Sequence, residues 1–288
     1  MHQPDKAVIF VSVCILDLPA VMDCRWLRRF GNGLMADRRT LLLMLVAGGA
    51  VVGGFRVLPS LFEVLPGFEP LDDPPGFRRV AGGSVSSGFN PFAGLSVGGS
   101  EETPARVSPD SLRADLCSHL FGTAARSEGV VPIASFADYY CPYCRVQTKR
   151  LSELGSELGS EVAIAWHELP LLGENSILAA RAALAAKRQD AYVAFHESLL
   201  TSPFRANAEY LSLLSERIGV DHDRLIADME SESVSSELEI SAALSRLFAF
   251  VGTPAMVVGR TVIQGEISDR TLRRIISLER EEGWSSVC

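Results

Sequence analysis

Histidine and cysteine are scarce in this chain of 288 residues, with five of the first and six of the second. His119, His167, His196 and His222 stand singly, and only Cys141 and Cys144 share a close spacing. A structural zinc site needs four ligands, and this C-x-x-C finds no second pair to complete a tetrahedron. We therefore expect no metal and no cofactor. Blocks of basic residues are missing too, outside the N-terminal third. With 27 basic against 35 acidic side chains the net charge is -8, and no stripe is left to track a phosphate backbone. That excludes nucleic acid as a partner. Between Glu63 and Arg106 any sustained hydrophobic period is absent. Turn formers crowd there instead, as in "EPLDDPPGF" and "AGGSVSSGFNPFAG", so residues 63–107 read as a flexible linker.

Long apolar runs are few. One follows Arg38 and Arg39: "TLLLMLVAGGAVVGGF", Thr40 to Phe55, shorter than the roughly 20 residues that span a bilayer as a helix. It has the pattern of an export signal, and its glycine pairs would weaken it as a buried helix in water. The paired arginines suit the twin-arginine route as well as the Sec route. No A-x-A follows, so a cleaved signal and an anchor prolonged through "RVLPSLF" both stay open. Met35, just ahead of "ADRR", is a suitable true start. Residues 1–34 are then expected outside the mature protein, and residues 35–62 form the signal peptide or membrane anchor.

Beyond the linker the pattern becomes regular. In "SPDSLRADLCSHLFG" Ser108 can cap, Pro109 suits the first helical position, Leu112, Leu116 and Leu120 share a face, and Gly122 can stop the helix. A lead-in helix over 108–127 is expected. "VVPIASF", Val130 to Phe136, reads as a strand buried on both faces. Pro142 opens a helix running to about Leu158, and "EVAIAWHEL", Glu161 to Leu169, is a second strand. Strand, helix and strand in this order predict a parallel βαβ unit, hence an α/β fold. Helices then run from Asn175 to about Phe250; within them Asn207 caps, Tyr210, Leu214 and Ile218 align, and Gly219 terminates. Ala255–Val258 and Thr261–Gln264 follow as a hairpin turning at Gly259-Arg260, and a last helix spans Ser268 to about Glu281.

A C-x-x-C at the junction of strand and helix has a specific use. Unpaired backbone N–H groups and the positive end of the helix dipole stabilise a thiolate on the first cysteine, while the second lies about one turn deeper. Cys141 would be the reactive sulfur and Cys144 the resolving one. A low thiol pKa also makes Cys141 a good leaving group when an oxidised pair passes its bond on. A purely structural disulfide would normally close a longer loop, because the entropic gain grows with loop length.

"FADYYCPYC", then "WHELPLLGENSILAARAALAA", a helical insert and "GTPAMVVG" together resemble the DsbA-like branch of the thioredoxin superfamily, exported thiol-disulfide oxidoreductases, over Val130 to Glu281. The resemblance implies a thioredoxin-like fold over 128–282. An all-helical insert at about 174–250 would sit between the βαβ unit and a cis-proline hairpin, leaving 283–288 as a C-terminal tail. It also implies that Thr253-Pro254 is the family's cis-proline loop, where an extended substrate pairs by strand addition. The most oxidising members carry His in the dipeptide; Pro142-Tyr143 offers no such charge, so a less oxidising pair is expected. Thr253 and Pro142-Tyr143 are similar instead to isomerase-type relatives such as DsbG. Those relatives carry an N-terminal dimerisation domain, which the irregular stretch 63–106 would not supply.

Three further side chains bear on the chemistry. Glu168, near the end of the second strand, is either a buried acid accepting a proton from Cys144 or a surface carboxylate. His167 should point to the opposite face and be structural. Cys117 and Cys288 are the other thiols of the mature region, and a disulfide between them stays open in an oxidising compartment. The expected protein is a thiol-disulfide oxidoreductase of the periplasm or cell envelope, soluble or tethered. It would serve cysteine-containing exported proteins and be recharged by a DsbB-like or DsbD-like membrane partner. Oxidase, reductase and isomerase directions remain open. The rival readings are a non-catalytic peptide-binding module and a glutathione-dependent transferase or isomerase on a related scaffold.

Overall fold

A computed structural model describes residues 67–88, 107–123, 129–201, 206–284 and 287. They belong to the unit Val64–Cys288; the expected upstream segment and export signal lie outside the described residues. Among the described residues no helix is long and apolar enough to cross a membrane.

The sequence order is β1 (Phe68–Pro70), β2 (Arg78–Ala81), α1 (Pro109–Ala114), α2 (Leu116–Phe121), β3 (Val131–Ala137), α3 (Pro142–Leu158), β4 (Val162–Glu168) and α4 (Glu174–Lys187). It continues with α5 (Tyr192–Thr201), α6 (Ala208–Ile218), α7 (His222–Met229), α8 (Glu232–Leu247), β5 (Ala255–Val258), β6 (Thr261–Gln264) and α9 (Asp269–Glu282). The six strands form one sheet in the order β1-β2-β6-β5-β3-β4. β3 runs parallel to β4 and antiparallel to β5, and it is buried at every position because both faces are covered.

Alternation along β3 divides the core. Ala134 and Phe136 face a layer built on Leu112, Leu116 and Leu120 of α1 and α2 and Leu244 of α8. Val131 and Ile133 face Leu151 and Leu154 of α3 and Leu272, Ile275 and Ile276 of α9. The helices α4 to α7 make a third cluster of their own, in which Ala179, Ala183, Phe195, Leu199, Leu214 and Leu225 meet Tyr139. The insert is thus packed onto the segment just before the cysteines. At the β5–β6 turn Gly259 has φ +54°, and a Cβ there would meet Glu279 Oε2 at 2.6 Å, so the turn closes directly onto α9.

Two expectations need correction. Residues 67–88 do not form a flexible linker: β1 pairs antiparallel with β2, and β2 pairs parallel with β6, Arg78 opposite Thr261 through Ala81 opposite Gln264. Strands of three and four residues are too short to show a period, and side-chain bonds fix them instead. Arg78 Nη2 donates to Glu279 Oε1 at 2.7 Å and its Nε to Thr261 Oγ1 at 2.9 Å, with Glu279 fully buried. The lead-in helix is two helices, broken at Asp115, whose φ of -133° leaves the helical region. Leu112, Leu116 and Leu120 stay buried on one side of that break.

Candidate thiol site

Cys141 is the N-cap of α3, in extended backbone at φ -80° and ψ 117°. Its sulfur accepts the Cys144 amide at 3.2 Å, as an oxygen would at an ordinary N-cap. Pro142 fills the first helical position, where no N–H is required. Both cysteines are free thiols and both are fully buried. Hydrogen bonding from the Cys144 thiol, with help from the Ser86 hydroxyl, Thr253 and the Cys144 amide, outweighs burial and lowers the Cys141 pKa to about 6. Burial, followed by the hydrogen bond and charge of Cys141, pushes the Cys144 thiol far above the ordinary range. The pair is therefore polarised, with one sulfur ready to ionise and one holding its proton.

The Thr253–Pro254 peptide bond is cis, and the Cys141 thiol donates to the Thr253 carbonyl at 3.3 Å. Thr253 Oγ1 is buried without a nitrogen or oxygen partner among the described residues, and it lowers the pKa of both sulfurs. The backbone N–H and C=O of Thr253 are both paired with Ser86, at 2.8 and 2.7 Å. Tyr143 and Leu172 pack, half-buried, against the two cysteines. One face of the site is thus apolar and the other is backbone.

The carboxylate that touches this site is Asp138, a residue the sequence analysis did not single out. Its Oδ1 accepts the Tyr140 amide and the Ser176 hydroxyl, both at 2.8 Å. Its Oδ2 accepts the amides of Leu171 and Leu172 at 2.7 and 3.0 Å, and its own amide points at Cys144 Sγ at 3.5 Å. Asp138 therefore ties the turn before the cysteines to the loop after β4. The available signal was an Asx-turn sequence, an aspartate two residues before a backbone N–H that must turn.

Glu168 is buried rather than a surface carboxylate. Its Oε1 accepts the Tyr139 and Tyr192 hydroxyls at 2.5 and 2.7 Å, with His196 Nδ1 at 3.4 Å. Among the described residues it makes no hydrogen bond to either sulfur, and the hydroxyl of its partner Tyr139 bonds Glu168 and His196. His167 stacks on Phe136 at 4.5 Å, and its Nε2 lies 2.9 Å from the Leu120 carbonyl. Burial lowers its pKa to about 4, so the ring is neutral at pH 7. Cys117 is disulfide-bonded, and its sulfur lies 4.0 Å from the Val287 carbonyl oxygen. The expected partner, Cys288, lies outside the described residues, and no metal-binding group of His, Cys, Asp or Glu is found among those described.

A parallel βαβ unit, a helical insert and a hairpin that brings a cis-proline to a helix-capping dithiol define a thioredoxin-like protein of the thiol-redox type. The DSBA-like thioredoxin domain matches residues 132–277, about half of the sequence. The chain belongs to that family. Among solved structures it is similar to a thioredoxin-like oxidoreductase from Silicibacter pomeroyi DSS-3, at 33% identity and a TM-score of 0.53, covering 57% of this chain and 97% of that one. The catalytic domain of Proteus mirabilis ScsC is 25% identical with a TM-score of 0.51, covering 61% and 99%. A periplasmic thioredoxin-like protein from Salmonella enterica serovar Typhimurium is 25% identical with a TM-score of 0.50, covering 58% and 97%. A curated relative, Na(+)/H(+) antiporter NhaA of Herminiimonas arsenicoxydans, is 25% identical over 148 residues, 51% of this chain and 24% of that protein. The chain thus matches about a quarter of that relative's length.

Proposed function

We propose that this chain is an exported thiol-disulfide oxidoreductase that exchanges disulfides with cysteines of other cell-envelope proteins through Cys141 and Cys144. The observation that carries this reading is the polarised pair: Cys141 Sγ caps α3 with a pKa lowered to about 6, while Cys144 is raised. In the oxidising direction a client thiolate attacks Cys141 Sγ of the disulfide, and Cys144 leaves as a thiolate that takes up a proton. A second client thiolate then attacks the client sulfur of the mixed disulfide, and Cys141 leaves as the stabilised thiolate. The client loses two electrons and the pair gains them. In reverse, the Cys141 thiolate opens a client disulfide and Cys144 resolves the mixed disulfide.

The backbone of Thr253 supplies the edge on which a client strand pairs, and Tyr143 and Leu172 supply apolar contact. Asp138 holds the turn, and Glu168 braces Tyr139, two residues before Cys141, rather than taking a proton from Cys144 directly. Residues 35–62 serve as signal or anchor, and a DsbB-like or DsbD-like membrane protein resets the pair. Similarity to a periplasmic thioredoxin-like protein supports the cell envelope as the compartment. A Cys117–Cys288 disulfide fits the bonded state of Cys117 and the nearness of Val287.

The test is transfer in both directions. Oxidised protein should oxidise a reduced two-cysteine peptide, reduced protein should open its disulfide, and Cys141→Ser should do neither. If peptide is bound but its redox state never changes, the protein is a binding module and the proposal falls.

A further inference from the structure

Past β2 the chain runs over the thiol site. Gly83 N donates to the Glu266 carbonyl at 2.8 Å, Glu266 N to the Ser84 carbonyl at 3.1 Å, and Ser86 exchanges both backbone bonds with Thr253. This is an isolated antiparallel bridge, the pattern of a strand added to the edge that a client would use. The Ser86–Thr253 bridge thus lies beside the Cys141 sulfur, which points its own hydrogen bond at the Thr253 carbonyl and has no exposed surface; the Ser86 side chain helps to lower the Cys141 pKa.

The glycines show how closely the two backbones lie. A Cβ on Gly82 would come within 1.9 Å of the Gln264 carbonyl oxygen, on Gly83 within 2.5 Å of that of Glu266, and on Gly88 within 2.3 Å of that of Leu171. From the other side, a Cβ on Gly252 would lie 2.5 Å from the Ser86 carbonyl oxygen. Only glycine fits at such contacts.

We propose that Gly82–Gly88 is a built-in occupant of the client cleft, with Ser86 standing where a client's cysteine would lie, so that a client reaches Cys141 only by displacing it. This rests on the exchange reading above. Serine has nearly the shape of cysteine but cannot form a disulfide, so the occupant is never consumed. The client class follows from the fit: an extended, unfolded stretch of polypeptide whose cysteine is flanked by small residues.

Register is tested by Ser86→Cys combined with Cys144→Ala in the full chain. Oxidised glutathione accepts the two electrons and two protons and becomes two molecules of reduced glutathione, while the introduced thiol and Cys141 join as a disulfide. Non-reducing peptide mapping should show that linkage as the main product. Glutathione alone on Cys141 would overturn the register.

Displacement is tested with Gly88→Val, which collides with Leu171, and Ser86→Pro, which removes the donor to Thr253. Loss of about one backbone hydrogen bond should raise the iodoacetamide rate of Cys141, and its exchange with a cysteine peptide, about tenfold. Rates within about twofold of the parent in both variants would overturn the covering role. Faster alkylation with no exchange in any variant would keep the cover and sink the exchange reading. Exchange that proceeds equally in parent and variants would do the reverse.

Discussion

The lowered pKa of Cys141 can be read as a redox potential against pH. The structure puts this thiol at about 6, against about 8.5 for a free cysteine. Only the reduced form ionises. At pH 7 the shift therefore favours the reduced pair by about tenfold, which makes it about 30 mV more oxidising than an unperturbed pair. The pH dependence is sharper than the absolute value. Below about pH 6 reduction takes up two protons and the potential should fall by about 59 mV per pH unit; above it Cys141 stays a thiolate, one proton is taken up, and the slope should halve to about 30 mV.

Because the Cys144 pKa is raised, no second bend belongs below about pH 9. The assay is equilibration with glutathione buffers from about pH 5 to 9, followed by acid quench, alkylation and mass determination. An unbroken slope of about 59 mV through pH 8 would show that Cys141 is not held ionised and would refute the reasoning. At pH 7 the potential should lie between the roughly -270 mV of thioredoxin and the roughly -120 mV of DsbA, whose reactive thiols have pKa values of about 7 and 3.5. A value at either extreme would contradict the part assigned to Tyr143.

Asp138→Ala leaves three amides and the Ser176 hydroxyl without their acceptor, and should cost about 3 kcal/mol in urea unfolding; a loss under about 1 kcal/mol would deny the tie. Glu279→Ala takes the buried acceptor from Arg78 Nη2, the Thr261 hydroxyl and the Arg260 amide, while Arg78 keeps Glu282; it should cost about 3 kcal/mol, whereas an unchanged midpoint would remove β2 from the stable fold. His167 binds a proton near pH 6.5 when unfolded but only near pH 4 when folded. Its contribution is full above about pH 6.5 and declines as pH falls toward 4, by about 2 kcal/mol after allowing for its partly exposed ring; His167→Gln should flatten that decline, and an unaltered pH profile would assign it elsewhere.

Helix α3 was legible because its start is written locally, with a sulfur that can cap, a proline at the first turn and a fully apolar strand just before. The β5–β6 hairpin was legible for a similar reason, two short β-branched runs about a Gly-Arg turn. What stayed hidden depends on partners distant in the chain. Asp138 finds Leu171, Leu172 and Ser176 only after β4 has returned. Glu168 is buried only because Tyr192 and His196 arrive from the insert. The lead-in helix was misjudged for the opposite reason: Leu112, Leu116 and Leu120 keep helical spacing across Asp115, so their pattern runs on where the backbone does not.

Glycine-rich composition was the harder ambiguity, because the same residue serves two opposite ends. In an isolated chain it signals freedom; against another backbone it permits an approach that any Cβ would block. Residues 82–88 were read in the first sense and lie in the second, against Gln264, Glu266, Leu171 and Gly252. The two senses still meet in the energetics. Each backbone hydrogen bond contributes roughly 1 kcal/mol net, while ordering each residue costs roughly 1 to 2 kcal/mol, with glycine the costliest. A segment held mainly by a few such bonds is therefore near balance, which suits a cover that has to stay over a reactive thiolate and still give way to an incoming client chain.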